Sequence, residues 1–367
     1  MMGRGTPKMR KNVCFLYNEG YLGYQFGPDH PFQPIRERMT LELLQELGVF
    51  EEMAEVVSPA SATRENLLLV HEKSYIDFVE RMSKRGHGML DLGDTPVTKG
   101  IFEASCQVVG GSLHGVDSII DGSYMHAFNP GGGLHHAKED SASGFCVFND
   151  IVIAVRYAQR RYSLKRIAIV DIDGHHGDGT QSLLYNEPVL KISFHHYGIF
   201  PGTGSVEEIG RKSGRGYSVN IPLPAGSGDD VFMKAFREIV VPLLKEYSPQ
   251  LLINQFGVDG HYQDPLVGLR LTTHTYEDVT VLMHDLAHSL CGGRLLVVGG
   301  GGYQPRNVAR CWAVMFLALL GRRSSKDHKL YGLHDPQPTL SEKHVSESVM
   351  NTVQKIKDNI FPIHGLS

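Results

Sequence analysis

The sequence predicts a three-layer α/β domain built on a mainly parallel sheet of about eight strands. Two observations carry this. Short β-branched runs alternate with longer segments of helical spacing, the pattern of βαβ units, and polar, glycine-rich stretches follow the apolar runs directly, where sheets of this class bind ligands. The runs are Val13 to Tyr17, Leu67 to Val70, Tyr124 to Phe128, Ile167 to Asp171, Val189 to Phe194, Tyr217 to Ile221, Leu251 to Phe256 and Leu295 to Val298. The helical segments are Ile35 to Leu47, Gly100 to Ile120, Ile151 to Tyr162, Asp229 to Tyr247, Tyr276 to Leu290 and Pro305 to Leu320.

No linker of Pro/Gly/Ser character divides the 367 residues, so residues 1–321 read as one catalytic domain. The chain changes character at Arg322-Arg323-Ser324-Ser325-Lys326. Val345, Val349, Val353, Ile356 and Ile360 then recur at helical spacing, so 322–367 is expected to be an extension whose amphipathic helix packs on the domain. Hydrophobic residues at 41% and charged residues at 21% supply an ordinary core. A net charge of −4 gives no electrostatic footing for nucleic acid. Basic Arg4, Lys8, Arg10 and Lys11 precede no apolar stretch of signal or membrane-spanning length, and the five cysteines are scattered and never in C-x-x-C spacing. A cytoplasmic location with no membrane partner is the expectation. Nothing specifies an oligomeric state.

The chemistry concentrates at four strand ends. After Ile167-Ala168-Ile169-Val170 comes Asp171-Ile172-Asp173-Gly174-His175-His176-Gly177-Asp178-Gly179. Alternation along an extended chain puts Asp171, Asp173 and His175 on one face, and a carboxylate two residues from an imidazole is half of a divalent metal site. Gln255-Phe256-Gly257-Val258-Asp259 can supply a third ligand, and Asp173, His175 and Asp259 would leave a coordination position open for water. Gly131-Gly132-Gly133-Leu134-His135-His136 has the backbone freedom to turn two adjacent imidazoles into one cavity. Gly299 to Gly302 deliver Tyr303, a hydrogen-bond donor for a developing oxyanion. Neither G-x-G-x-x-G nor G-x-x-x-x-G-K-[ST] occurs, which argues against a phosphate cradle. A metal, an acid/base pair and an electrophilic donor together suit hydrolysis of an unactivated amide.

These stretches, with His30-Pro31-Phe32-Gln33-Pro34, Ser143 to Asp150 and Phe200-Pro201-Gly202-Thr203-Gly204, resemble in order the zinc-dependent histone deacetylase family, particularly its prokaryotic acetoin-utilisation branch, over roughly residues 13–321. The resemblance implies the arginase/deacetylase-like fold and removal of acetyl or longer acyl groups from lysine side chains. It implies Asp173, His175 and Asp259 as metal ligands, and tandem His135 and His136 supported by Asp171 and Asp178. In the family's usual account the second histidine is general base and acid while the first stays protonated. Tyr303 would polarise the carbonyl, Phe145 and Phe200 would line the tunnel, the Gly144 carbonyl would accept the substrate amide N–H, and Asp94 would grip the substrate backbone from the rim. A structural K⁺ is implied at the Asp171 carboxylate and the backbone oxygens of Asp173, His175, Ser193 and Phe194. An all-aspartate/histidine set is harder than sulfur-bearing zinc sites, so Fe²⁺ or Co²⁺ could replace Zn²⁺. Two positions depart from common relatives. Leu134 stands where many carry a bulky aromatic, which predicts a wider cavity and longer acyl groups, and Ile199 replaces a tunnel-wall aromatic. The expected substrate is an acylated lysine in a protein or peptide, with an acetylpolyamine or other small acetyl-amide as the alternative. An arginase-like binuclear hydrolase and a non-catalytic acyl-lysine-binding module are the remaining readings.

Overall fold

Eight strands pair edge to edge into one sheet in the computed structural model, which describes residues 12–51, 53–323 and 332–367. They are β1 (Val13–Leu16), β2 (Ala54–Val57), β3 (His126–Asn129), β4 (Ile167–Asp171), β5 (Leu190–His196), β6 (Ser218–Leu223), β7 (Leu251–Gln255) and β8 (Leu295–Val298), in the spatial order β2-β1-β3-β8-β7-β4-β5-β6. Every pairing is parallel. Alternate residues of a strand enter different cores: Val13, Phe15, Ala168 and Val170 belong to one apolar cluster, Cys14, Leu16, Ile167 and Ile169 to another. The sheet is therefore buried on both faces, which is why its strands read as unbroken apolar runs.

Ten helices accompany the strands among the described residues: α1 (Ile35–Glu46), α2 (Arg64–Leu67), α3 (Lys73–Arg85), α4 (Ile101–Ile120), α5 (Asp150–Tyr162), α6 (Asp178–Leu183), α7 (Asp229–Tyr247), α8 (Thr273–Cys291), α9 (Pro305–Leu319) and α10 (Lys343–Ile360). None is long and apolar enough to cross a membrane. One strand expectation fails. Leu67–Val70 is not extended: Thr63 caps Arg64–Leu67 through a reciprocal bond with Asn66, Leu67 is buried and Leu68 faces solvent. A four-residue apolar run has no period by which to tell strand from helix, and here the cap decides. The edge place goes to Ala54–Val57, whose exposed Glu55 disguises it in sequence and suits an edge.

On α10, Val345, Val349, Val353, Ile356 and Ile360 are all buried, and the helix contacts α7 and β6. Lys357 donates to Glu238 at 2.5 Å. The segment leading into α10 is tied down by Asp335, which is buried and accepts from His261 Nε2, the Thr273 N–H and Arg310. Arg4, Lys8, Arg10, Lys11 and Ser324 to Lys326 lie outside the described residues.

Candidate active site

The strand order explains how distant segments meet. β3, β8, β7 and β4 are consecutive neighbours, so the four polar loops leaving their carboxyl ends lie side by side. Backbone bonds extend the pairing past the strands: Gly299 N–H donates to Asn129 O at 2.9 Å, Gly300 N–H to Gly132 O at 2.9 Å, and Ile172 N–H to Gln255 O at 3.1 Å. Gly133 has φ +93°, and a Cβ there would lie 2.5 Å from the Gly300 nitrogen, so the two loops can touch only through a glycine.

Asp173, His175 and Asp259 converge, each with a ligand atom within 4.8 Å of the others, and all three are buried. His175 Nδ1 lies 2.7 Å from Asp259 Oδ2 and 3.4 Å from Asp173 Oδ1. The other carboxylate oxygens are held from behind: Asp173 Oδ2 accepts from Gln255 Nε2 at 2.8 Å and Gly301 N–H at 2.7 Å, and Asp259 Oδ1 from Gly174 N–H at 2.6 Å. Burial, then repulsion from Asp173, pushes the Asp259 carboxyl up to about 6. Burial would lower His175, but Asp259 and Asp173 lift it to about 10. Two buried carboxylates that compete for one imidazolium call for a cation between them, so this donor set fits a divalent metal.

Beside it the tandem histidines make separate carboxylate pairs. His135 Nδ1 lies 2.8 Å from Asp171 Oδ2, His136 Nδ1 lies 2.8 Å from Asp178 Oδ1, and the two Nε2 atoms are 3.0 Å apart. Nitrogens that close cannot both bear protons. Burial opposes charge on His135, yet Asp171 and Asp173 raise it to about 9; burial and the His135 charge push His136 down to about 3 despite Asp178. The carboxylates thus favour charge on the first ring, and burial beside that ring disfavours it on the second. Both Asp171 oxygens are hydrogen-bonded, the second accepting the Asp173 N–H at 3.1 Å.

Tyr303 lines the same cavity as this pair, its ring 6.2 Å from His175 and 5.9 Å from Phe145. Burial and the Asp259 and Asp173 charges raise the phenol well above its usual value, keeping it a donor. Phe145 adopts φ +66° after Gly144 at φ +53°. A Cβ at Gly144 would fall 2.5 Å from His136 Cδ2, so the glycine admits the imidazole. Phe145 packs edge-on against His30, and Phe200 against His136, with centroids 4.5 and 5.0 Å apart. Phe200 is exposed, so it belongs to the mouth. A groove of about 720 Å³ runs from Phe200 past Asp94, Asp91, Leu92 and Met89. Burial and Asp91 raise the Asp94 carboxyl to about 6.

Leu134, Phe32, Cys146, Phe145 and Tyr303 line, with His135, His136 and Asp173, one small cavity of about 20 Å³. Phe32 and Cys146 line it together with Leu134, the position from which a wider cavity is expected.

Residue patterns missed three supports. Arg36 is buried between Phe32 and Trp312 and donates to Gly302 O at 2.9 Å, anchoring the Tyr303 loop. The Tyr303 N–H donates to Asp264 at 2.8 Å. Asp150 accepts from Gly133 and Leu134 N–H and from Ser112, shaping the histidine loop. A buried arginine on an amphipathic helix has no signature in sequence; Asp150 closes the quoted Ser143 to Asp150 motif and was within reach.

An all-parallel sheet with this strand-end constellation defines an α/β protein of the arginase/deacetylase-like fold. The histone deacetylase domain profile matches residues 30–319. The acetoin utilization protein AcuC of Bacillus subtilis (strain 168) is 41% identical over 324 residues, covering 85% of this chain and 83% of its own. The AcuC of Staphylococcus xylosus is 35% identical over 329 residues, covering 86% and 84%. The crystal structure of the HDA15 HD domain superposes with a TM-score of 0.84 at 28% identity, covering 97% of each chain. The chain belongs to the histone deacetylase family, in the acetoin-utilisation branch, and is accordingly a hydrolase of amide bonds that acts on an acetylated substrate.

Proposed function

We propose that the protein is a metal-dependent lysine deacetylase, and the observation that carries this reading is the meeting of the buried Asp173–His175–Asp259 donor set with the carboxylate-paired His135 and His136. The ligand trio would hold Zn²⁺, with Fe²⁺ or Co²⁺ as substitutes, and the ion supplies Lewis acidity to the acyl carbonyl and to water. His136, neutral at rest, takes the water proton and returns it to the departing amine. Asp178 stabilises the imidazolium that forms, and His135, held cationic by Asp171, keeps the site positive as negative charge develops on the acyl oxygen. Tyr303 donates its O–H to that oxygen. Phe145 and Phe200 flank the lysine stem, the Gly144 carbonyl accepts the side-chain amide N–H, and Asp94 accepts backbone N–H groups at the rim. The Asp171 carboxylate with the backbone oxygens of Asp173, His175, Ser193 and Phe194 would hold K⁺; Asp171 and Ser193 are register partners across β4 and β5.

The broad groove beside Asp94 suits a peptide, and the small cavity at Leu134 suits an acetyl group. The relatives' names concern acetoin utilisation, which keeps small acetyl-amides such as acetylpolyamines as the second substrate class. Turnover of matched acetyl-lysine peptides, longer acyl-lysine peptides and acetylpolyamines after metal stripping and defined reloading tests the reading. Activity on acetyl-lysine should vanish on stripping and return with Zn²⁺. Tyr303→Phe should lower kcat about 10²–10³-fold with metal content unchanged. Full activity without metal, or full activity in Tyr303→Phe, overturns it.

A further inference from the structure

A second group of imidazoles meets at the opposite end of the sheet. His126 is the first residue of β3, aligned with Val13 and Leu295 at the strands' amino ends, and roughly 13 Å of strand separates it from the loop bearing His135. His284 and His288 lie one turn apart on one face of α8. A ring nitrogen of each of the three comes within 4.8 Å of the other two. The ring centroids are 4.8 Å apart for His126 and His284, 5.2 Å for His126 and His288, and 4.4 Å for His284 and His288.

His126 is 1% exposed, and among the described residues its Nδ1 finds no hydrogen-bond partner; Nδ1 of His284 finds none there either. Buried polar atoms without partners are rare enough to need a physical account. No carboxylate stands among the three donor atoms. Burial and the neighbouring rings hold His126 down to about 3, and burial and His288 lower His284, with Asp285 acting in the opposite sense and Arg323 in the same. Neutral imidazoles carry the lone pairs that ligate a metal. An all-imidazole set without an anionic oxygen selects borderline transition ions over Mg²⁺ or Ca²⁺. Donors on one ion at bond lengths of about 2.1 Å stand at most about 4.2 Å apart, so closure asks for a small swing of the outer rings. His288 is exposed and His284 half-buried, so both have that freedom.

We propose that His126, His284 and His288 form a second metal site, for a borderline divalent transition ion such as Zn²⁺, Co²⁺, Ni²⁺ or Cu²⁺, which clasps α8 to the start of β3. It shares no residue with the Asp173–His175–Asp259 set. Three protein ligands leave it open to water.

Metal-stripped full-length protein is loaded with Co²⁺ and freed of excess, and cobalt per chain, visible absorption and thermal midpoint are recorded. Wild type should hold two ions per chain. His284→Ala/His288→Ala should hold one, lose part of the metal-dependent rise in midpoint, and keep its deacetylase activity. Asp173→Asn/Asp259→Asn should also hold one, with the absorption of an all-nitrogen site. Two ions alone would not separate this arrangement from a binuclear catalytic centre; loss of one ion with activity retained does. An unchanged stoichiometry and midpoint in the histidine variant, or a wild type with a single ion that disappears with Asp173 and Asp259, overturns the proposal.

Discussion

Asp178→Asn isolates one charge in the proposed mechanism. Asp178 is buried, 2.8 Å from His136 Nδ1, and its other oxygen lies 3.1 Å from Lys138 Nζ. Burial would raise this carboxyl, but the bonds to His136 and Lys138 hold it down at about 2, so it is anionic across any assay range. Asparagine keeps the size and remains acceptable in the first turn of α6, so the fold should stand. What disappears is the anion facing an imidazolium that exists only while His136 carries the proton. A hydrogen bond to a charged partner contributes about 1.5–3 kcal/mol and a neutral one about 0.5–1.5 kcal/mol, so the loss should be about 1–2 kcal/mol. That corresponds to roughly a 5–30-fold fall in kcat/KM. Lys138 already offsets part of the Asp178 charge, so Lys138→Met should leave kcat at or above wild type. The assay is steady-state hydrolysis of an acetyl-lysine peptide with metal content measured alongside. Asp178→Asn within threefold of wild type, at equal metal content, would refute the assignment of His136 as the proton carrier.

Three further outcomes follow from the same geometry. The Asp94 carboxyl, raised to about 6 by burial and Asp91, is a good acceptor only when ionised, so KM for a peptide should fall as pH rises through about 6. Asp94→Asn should flatten that limb. Because the cavity at Leu134 holds about 20 Å³, kcat/KM for butyryl-lysine should lie at least about 10-fold below that for acetyl-lysine, measured on one peptide sequence. Asp335→Ala strips the partners from buried His261 and from Arg310, and should cost about 3 kcal/mol of stability, read as a lowered denaturation midpoint. Burial opposes ionisation of Asp335, but His261 and the Thr273 N–H hold its carboxyl below the usual range. Its contribution is thus present above the unfolded value of about 4 and is lost as pH falls below it, so the variant should lose less stability in acid than wild type.

The order of polar motifs after apolar runs was enough to indicate the fold class and the family, because parallel strands buried on both faces have few ways to be written and strand-end loops carry the polar motifs. Seven of the eight strands were legible for that reason. Ala54–Val57 was not, since an edge strand is free to carry charge, and Leu67–Val70 misled because four residues show no period. Asp171, Asp173 and His175 look like one row in sequence, yet only the packing of β3 against β8, β7 and β4 sends Asp171 to His135 and brings Asp173 and His175 together with Asp259. The carboxylate partner of each tandem histidine and the meeting of His126 with His284 and His288 are distance-dependent properties of neighbours remote in the chain. They are decided by the tertiary structure, because burial and Coulomb forces act through space.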